Sequence, residues 1–437
     1  MNVAIIGAGW AGLAAAVQAV TSGHQVTLFE ASRTAGGRAR AVPGVLPNGA
    51  EVTLDNGQHI LIGAYTETLR LMRRVGVNPE QALLRLPLNL QYPDGAGLRL
   101  PRWPAPLDAL YGILMARGWH MDDKLTLLRT AKAWRRSGFS CAPSMTVAQL
   151  CDALTPRVRQ EMIEPLCVSA LNTPSTEASA QVFLRVLRDA LFGVRGGSNL
   201  LLPRIDLSQL FPQAALDWLA LAKGSAIRLG ERVDVIEQRI GKWRVLGHSY
   251  DRVVLATSSI DAARIIDNSA QHAIGSVAFR MRQWAAVARA LRFEAITTVY
   301  AWAPLATLSA PMLSLRCTPV TATSGATTAP AQFAFDRGQL GGPAGLLAFV
   351  VSASQGQRTE LQAQVLRQAR AQLGLKLQAV QTIVEKRATF ACTPALARPA
   401  MEVAAGLLAC GDYILGPYPA TLEGAVRSGI GAALVAP

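Results

Sequence analysis

Four residues near the start of the sequence have the types and the spacing that bind a dinucleotide. Gly7, Gly9 and Gly12 form a G-x-G-x-x-G pattern, and Glu30 follows it. In such a pattern Gly7 permits a tight turn, Gly9 lets the backbone approach a pyrophosphate, and Gly12 lets a helix pack closely on a strand. An acid about twenty residues later accepts hydrogen bonds from a ribose 2′-hydroxyl, which is the role predicted for Glu30.

The elements that must hold these residues can be predicted from the same segment. Asn2–Ile6 is typical of a short buried strand, an Ala-rich helix is expected up to Gly23, and residues 25–29 predict a second strand that ends on the acid. The N-terminus of the helix offers unpaired N–H groups and a positive dipole end to phosphates. A glycine fingerprint alone is weak, but strand, turn, helix, strand and acid in register predict a dinucleotide-binding βαβ unit.

A pair of glycines between arginines indicates which dinucleotide is bound. Gly36 and Gly37 lie between Arg33 and Arg38, and paired glycines let the chain pass closely beneath an extended cofactor while the arginines offer charge-assisted bonds to phosphate. A simple nicotinamide dehydrogenase has no need for this feature, although the segment could also be an ordinary turn with solvated arginines. The pattern resembles the flavin-containing amine oxidase and phytoene desaturase superfamily, and this resemblance implies FAD and a two-domain fold.

The composition narrows the choice of partners. The 437 residues are 50% hydrophobic and 16% charged, with a formal net charge of +14. Such a charge suits nucleic acid, an anionic membrane or an anionic substrate, but the scattered arginines and the lack of a nucleic-acid motif argue against nucleic acid. The six cysteines contain no C-x-x-C pair, which argues against a metal site and a disulfide framework and suits a cytoplasmic protein. The sequence contains no run of eighteen uninterrupted apolar residues, so no membrane span is predicted.

Residues 99–136 leave two interpretations open. After the segment that contains Trp103, five apolar residues follow at helical spacing, and a second helix is expected to begin at Asp122 and to end near Arg136. The five residues are Leu107, Leu110, Tyr111, Leu114 and Met115. Helical apolar stripes usually pack into a core. Tryptophan and apolar side chains beside arginine also suit a lipid headgroup boundary, which would make this region a peripheral membrane contact.

Further positions are assigned by the superfamily resemblance. It implies that Gly57, Gln58 and His59 face the flavin ring, although an Asp-Asn-Gly sequence is also a strong turn signal. A strand expected at residues 233–236 would present Val233 to the adenine. Near the C-terminus, Asp412 is implied to bind the ribityl chain or pyrophosphate. A helix capped by Thr421 is implied to direct its N-terminus at the flavin ring. Thr66 is expected to cap an earlier helix that runs to Val75.

Four stretches point to a narrower family. Residues 54–65, 171–174, 180–183 and 201–211 resemble the bacterial hydroxysqualene dehydroxylases, squalene-associated FAD enzymes of hopanoid biosynthesis. The resemblance implies reduction of hydroxysqualene, an allylic C30 alcohol, to squalene, with hydride from N5 of reduced FAD. Rival interpretations are a carotenoid-type polyprenoid desaturase, an amine oxidase-like oxidase and a non-catalytic flavoprotein that presents a lipid.

Removing a hydroxyl group requires an acid, because hydroxide leaves poorly. His59 and Asp55 are the candidate acids, by their expected closeness to the flavin ring, although each could have only a structural role. Four aromatic residues could stabilise an allylic cation or simply pack in the core: Tyr300, Trp302, Phe333 and Phe335.

The expected fold is α/β, with a Rossmann-like FAD-binding domain and a discontinuous α+β substrate domain. We expect the FAD-binding domain at 1–65, 224–268 and 400–437, the helical part of the substrate domain at 66–223, and its sheet part at 269–399. The expected partners are a polyprenoid substrate, a peripheral membrane surface and other squalene-pathway enzymes. The residues expected to bind FAD are Gly7, Ala8, Gly9, Trp10, Ala11, Gly12, Glu30, Ala31, Arg33, Gly36, Gly37, Arg38, Gly57, Gln58, His59, Val233, Gly411, Asp412, Thr421, Leu422 and Glu423.

Overall fold

The computed structural model describes residues 1–318 and 328–435. Its strands are β1 (Asn2–Ile6), β2 (Gln25–Glu30), β3 (Ala41–Val45), β4 (Glu51–Asp55), β5 (Leu61–Ile62), β6 (Leu83–Leu86), β7 (Asn89–Gln91), β8 (Gly97–Arg99), β9 (Leu200–Pro203), β10 (Ser225–Leu229), β11 (Glu237–Arg239), β12 (Lys242–Val245), β13 (His248–Tyr250), β14 (Arg252–Leu255), β15 (Phe293–Trp302), β16 (Met312–Ser314), β17 (Phe333–Asp336), β18 (Leu346–Val351), β19 (Gln378–Phe390), β20 (Glu402–Ala404) and β21 (Leu407–Ala409).

The helices of the same described residues are α1 (Trp10–Thr21), α2 (Thr66–Arg74), α3 (Pro79–Ala82), α4 (Leu107–Leu114), α5 (Met121–Arg136), α6 (Val147–Leu150), α7 (Pro156–Val158), α8 (Glu164–Leu171), α9 (Ala180–Phe192), α10 (Leu207–Leu210), α11 (Pro212–Leu221), α12 (Ser259–Ser269), α13 (Gly275–Arg289), α14 (Arg358–Leu373) and α15 (Leu422–Leu434). A π-helical turn, Arg159–Ile163, joins α7 to α8.

The βαβ unit lies at the centre of a six-stranded sheet. The strand order is β10-β2-β1-β14-β21-β20, and all neighbours are parallel except β20 and β21. Parallel strands are buried on both faces, which explains the uninterrupted apolar runs of β1 and β14. The helices α1 and α15 approach so closely that a Cβ at Gly429 would lie 2.1 Å from the Ala11 carbonyl oxygen. The two ends of the chain therefore build one nucleotide-binding layer.

A second, antiparallel sheet faces this layer. Its order is β16-β17-β18-β15-β19, and the helices α4, α5, α8 and α9 close the space beside it. The fold is thus α/β with a Rossmann-like sheet and an α+β second half, as predicted. The residue boundaries given above for the two domains stay a prediction.

Two local predictions were wrong. Residue Tyr65, not Thr66, is the N-cap of α2, and the Tyr65 side chain makes no capping hydrogen bond. The Thr66 hydroxyl accepts a hydrogen bond from Arg427 instead, because α15 packs against the start of α2. Residues 231–236 form an irregular segment and not a strand; Val233 is nevertheless buried.

The apolar stripe of α4 is not core. Leu107, Leu110, Tyr111 and Leu114 each expose at least 40% of their surface, whereas Ile113 on the opposite side is buried. The usual interpretation of a helical apolar stripe therefore does not hold for this helix. No helix of residues 1–318 and 328–435 combines the length and the hydrophobicity needed to cross a bilayer.

Candidate active site

One cavity of about 750 Å³ joins the end of the nucleotide-binding sheet to an apolar compartment. At one end it is lined by the turn between β1 and α1 and by the start of α15. At the other end its wall consists of side chains from α4, α5, α8, α9, β17 and β18. Among the residues of this apolar part are Leu100, Ile113, Leu127, Trp134, Phe139, Leu166, Phe183, Val186, Leu187, Phe333, Phe335 and Val350.

The glycine turn has the shape that its spacing predicts. Gly7 has φ +111°, and a Cβ there would lie 2.6 Å from the Ala256 carbonyl oxygen. A Cβ at Gly12 would lie 1.9 Å from the Gly7 carbonyl oxygen, so the start of α1 requires glycine. At Gly9, by contrast, a Cβ would meet no atom within 4 Å, although Gly9 lines the cavity. The backbone at Gly9 therefore borders open space that a pyrophosphate can fill.

The acid at the end of β2 is held by the turn. Glu30 Oε2 accepts a hydrogen bond of 2.7 Å from the Ala8 N–H, and Oε1 accepts one of 2.8 Å from the Ser32 N–H. Glu30 and Ala31 also line the cavity, whereas Ala8 does not. The Glu30 carboxylate is thus fixed at the cavity wall with capacity for a further donor, as a ribose hydroxyl would be.

The arginines take different places from those expected. Arg33 is exposed and lies outside the lining of this cavity, because the chain between Ala31 and Gly36 turns outward. Arg38 lines the cavity, but its Nη2 forms an ion pair of 2.5 Å with Asp412, and its Nη1 donates to the Ala388 carbonyl oxygen at 2.7 Å. The ion pair of Arg38 and Asp412 therefore joins the segment that follows the glycine pair to the segment that precedes α15. Sequence reasoning missed two further arginines in the lining, Arg232 and Arg264.

At the C-terminal side, the start of α15 faces the cavity through Thr421 and Leu422. Thr421 caps the helix by accepting a hydrogen bond of 2.9 Å from the Gly424 N–H. The carboxylate of Glu423 points elsewhere: it is fully buried and accepts hydrogen bonds from the N–H groups of Glu67 and Thr68. The Glu423 side chain therefore holds α2 to α15 and does not line the cavity.

His59 lines the cavity, with its ring held by a backbone carbonyl group. Its Nδ1 lies 2.8 Å from the Gly57 carbonyl oxygen. A carbonyl can only accept, so Nδ1 carries a proton, and Nε2 is the nitrogen that gains or loses one when the ring titrates. Burial lowers the pKa of His59, and the nearby Arg38 charge lowers it further, while the bond to Gly57 opposes the shift.

Asp55 does not reach the cavity. Its Oδ1 accepts a hydrogen bond of 2.8 Å from the Leu207 N–H, and its Oδ2 lies 4.0 Å from Nη2 of Arg337. Burial raises the pKa of Asp55 to about 6. The Tyr300 hydroxyl donates to the Asp55 carbonyl oxygen at 3.0 Å, so this aromatic residue is also structural. The sequence predicted Asp55 beside the flavin because the direction of a carboxylate at the end of a strand cannot be derived from sequence. In the structure, the Asp55 carboxylate at the end of β4 points away from the cavity.

Of the four aromatic residues considered from sequence, only two line the cavity. Phe333 and Phe335 contribute to its apolar wall, while Tyr300 and Trp302 do not. Two polar residues that sequence reasoning missed also line it, Asp189 on α9 and Tyr418. Burial raises the pKa of Tyr418, and the neighbouring Asp189 carboxylate raises it further. No sequence motif marks either residue.

The chain matches known proteins along most of its length. The family model for flavin containing amine oxidoreductase matches residues 10–435. A hydroxysqualene dehydroxylase from Zymomonas mobilis is 29% identical over 238 residues, which cover 52% of this chain and 53% of that protein. A zeta-carotene desaturase from Synechocystis is 41% identical over 76 residues, 17% of this chain and 15% of that protein. An oxidoreductase from Methanosarcina mazei has a TM-score of 0.69 at 17% identity, with 99% of both chains covered.

The fold and the site define a flavin-dependent oxidoreductase. The chain belongs to the flavin-containing amine oxidoreductase family and uses FAD. It spans about half the length of the dehydroxylase that it matches. The residues fit the cofactor: the backbone at Gly9 borders open space, and Gln58 Nε2 is a buried donor for which the described residues supply no acceptor.

A metal centre is not present in the described part of the chain. Across residues 1–318 and 328–435, no group of three or more His, Cys, Asp or Glu side chains is placed to hold a metal ion. All six cysteines lie in these ranges and are free.

Proposed function

We propose that the protein removes the hydroxyl group of hydroxysqualene reductively to give squalene. The observation that carries the proposal is the continuity of the cavity from the nucleotide turn to a compartment walled by apolar side chains. A polyprenoid chain is apolar along its length, so such a compartment can hold it. The resemblance of residues 54–65, 171–174, 180–183 and 201–211 to hydroxysqualene dehydroxylases and the similarity to the Zymomonas protein support this choice.

The reaction requires a proton at the leaving oxygen and a hydride at the allylic carbon. The carbon–oxygen bond breaks, water leaves, and a new carbon–hydrogen bond forms. Reduced FAD, when bound, supplies the hydride and is oxidised in the exchange. The apolar wall excludes water from the developing cation. Asp55 lies outside the cavity, and the Asp189 carboxylate is ion-paired with Arg188. We therefore assign the proton donor to His59, which lines the cavity and offers a proton from Nε2 when the ring is protonated.

The test is an anaerobic product analysis. The purified protein is photoreduced, mixed with hydroxysqualene, and followed by flavin absorbance and by mass spectrometry of the extract. We expect flavin reoxidation together with squalene. Reoxidation of the flavin without squalene would contradict the proposal. Oxidised protein that instead dehydrogenates a polyprenoid, with the flavin becoming reduced, would identify a desaturase. No substrate-dependent flavin change with either mixture would favour a protein that only presents lipid.

We also propose that α4 and α5 rest on an anionic bilayer. The two helices carry an exposed apolar surface, here called the α4–α5 surface: Trp103, Leu107, Leu110, Tyr111, Leu114, Met115, Met121 and Leu125. Exposure runs from 40% at Tyr111 to 61% at Met121. Exposed patches of this kind mark interaction sites. The opposite sides of the same helices line the cavity through Ile113 and Leu127.

Charge decides which occupant suits the surface. Three exposed arginines, Arg102, Arg117 and Arg129, lie within four residues of members of this surface in the sequence, and the chain carries a formal net charge of +14. Apolar side chains with arginines at their edge match the boundary of an anionic membrane. A bilayer would also hold the apolar substrate, so docking would place the substrate one helix away from the cavity.

Vesicle co-sedimentation tests the surface. Replacing Leu110 and Met115 by Glu should abolish binding to vesicles of phosphatidylglycerol and phosphatidylcholine at low salt. The control makes the same two changes to Glu at Ile240 and Leu305, apolar residues elsewhere that are more exposed than Leu110 and Met115, and should bind like the unaltered protein. Absence of binding by the unaltered protein, or equal binding by both double variants, would remove the membrane proposal.

A further inference from the structure

Gln58 carries a buried amide group whose nitrogen has no acceptor among the described residues. The side chain lines the cavity, and its Nε2 is shielded from water and makes no hydrogen bond to residues 1–318 or 328–435. A buried donor left without an acceptor is destabilising, because it has lost its hydrogen bonds to water and gained none in return. Such an atom is therefore expected to pair with whatever molecule fills the cavity.

Arg337 fixes which way this amide points. Its Nη1 donates to Gln58 Oε1 at 3.3 Å and to the Pro203 carbonyl oxygen at 3.4 Å. A guanidinium group has only donors, so an amide turned the other way would set donor against donor. The Gln58 oxygen must therefore face Arg337, and Nε2 must face away from it.

Arg337 is itself held in place. It is buried to 7% exposure at the end of β17, and its backbone N–H donates to the Leu346 carbonyl oxygen at 2.9 Å. Asp55 lies 4.0 Å from its Nη2, and the Leu207 N–H anchors Asp55 in turn. A chain of contacts therefore runs from α10 through Asp55 and Arg337 to the amide of Gln58.

We infer that Arg337, backed by Asp55, is a positioning residue that presents Gln58 Nε2 as a hydrogen-bond donor to the flavin ring. The inference depends on FAD binding and not on which alcohol is reduced. A donor at the ring favours the more electron-rich, reduced cofactor, because added negative charge strengthens the bond. Arg337 thus influences the reduction potential of the bound flavin through Gln58.

The midpoint potential of the bound flavin tests this inference without any substrate. Gln58→Leu removes the donor, and Arg337→Met frees the amide to turn, so both should shift the potential to more negative values. Both should also raise the dissociation constant of FAD, by about fivefold for one lost hydrogen bond. Arg337→Lys keeps a donor beside Gln58 Oε1 and should restore most of the potential.

Arg252→Met is the matched control, because Arg252 is another buried arginine, 4% exposed, that lies outside the cavity lining. It should leave the potential unchanged. An unchanged potential in Gln58→Leu, or a shift of equal size in Arg252→Met, would overturn the inference. If Arg337→Met does not fold, the comparison of Gln58→Leu with Arg337→Lys decides. These measurements keep their meaning even if hydroxysqualene is not the substrate.

Discussion

His59 and Asp189 differ in the proton that each can offer to a leaving hydroxyl group. The Nδ1 proton of His59 is bound to the Gly57 carbonyl oxygen, so a protonated ring offers its other proton from Nε2. Burial lowers the pKa of the ring, which makes that proton easier to give. Asp189 lies on α9, and its Oδ1 lies 2.9 Å from Arg188 Nε. An ion-paired carboxylate accepts hydrogen bonds but has no proton to give.

His59→Ala should therefore slow squalene formation by about a hundredfold, the lower end of the effect of a general acid. Asp189→Asn should slow it far less, and both variants should retain FAD. Single-turnover product formation, with FAD content measured in parallel, separates the two. A large loss in Asp189→Asn with little effect in His59→Ala would make Asp189 the donor instead.

Asp55 gives a pH dependence of stability that can be measured directly. Burial raises its pKa in the folded protein to about 6, against about 4 in the unfolded chain. The fold therefore favours the protonated acid, and this stabilisation is present below about pH 4 and is lost as the pH rises through 6. The difference of about two pKa units corresponds to about 3 kcal/mol.

Asp55→Asn does not titrate, so its stability relative to the unaltered protein should rise by about 3 kcal/mol between pH 4 and pH 7. Urea unfolding at several pH values provides the measurement. A stability difference that stays constant over this range would show that Asp55 has an ordinary pKa in the folded protein.

For single residues, the sequence predicts what the backbone does better than where a side chain points. Gly7 and Gly12 could be assigned because their function depends on local spacing. The direction of the Asp55 carboxylate depends on Leu207 and Arg337, which lie far away in the chain. Arg337 carries no motif, and only its position beside Gln58 reveals its role.

Among the elements, α2 and α15 are joined by the buried carboxylate of Glu423. Glu423 accepts hydrogen bonds from the N–H of Thr68 at 2.9 Å, from its hydroxyl at 2.7 Å, and from Arg427 Nε at 2.7 Å. The side chain thus pairs with the buried N–H groups at the start of α2, a task that the sequence assigned to Thr66. Helix termini need such partners when they are buried.

Glu423→Ala should lower the free energy of unfolding by about 3–5 kcal/mol, because several buried donors and Arg427 lose their acceptor. It should also weaken FAD binding, since Glu423 lies at the start of α15. Glu402→Ala, at an exposed position on β20, is the control and should change stability by less than about 0.5 kcal/mol. A similarly small effect of Glu423→Ala would show that the two helices are held by packing alone.

The elements themselves follow largely from sequence patterns. The strands β1 and β2 and the Thr421-capped helix lie where periodicity and caps predict them. The segment around Val233 was predicted as a strand because its apolar residues alternate with polar ones. That pattern is also produced by an irregular segment with buried side chains, and periodicity cannot separate the two cases.

In the whole molecule, a nucleotide-binding layer made from both ends of the chain faces an apolar compartment made from its middle. The sequence predicts the first half, since its signals are local. It cannot place the apolar wall, because Ile113, Phe183 and Phe335 come from three distant segments that meet only in the folded protein. Periodicity also cannot decide whether the α4–α5 surface is buried or exposed, because it predicts an apolar stripe but not what packs against that stripe.

The central claim is that hydride passes from reduced flavin to the allylic carbon of hydroxysqualene. Reduction and turnover in D₂O test it most directly, because the transferable hydrogen at flavin N5 exchanges with solvent while carbon-bound hydrogens do not. The account predicts squalene with one deuterium per molecule, formed in step with flavin reoxidation. Squalene without deuterium, or flavin reoxidation without squalene, would contradict it.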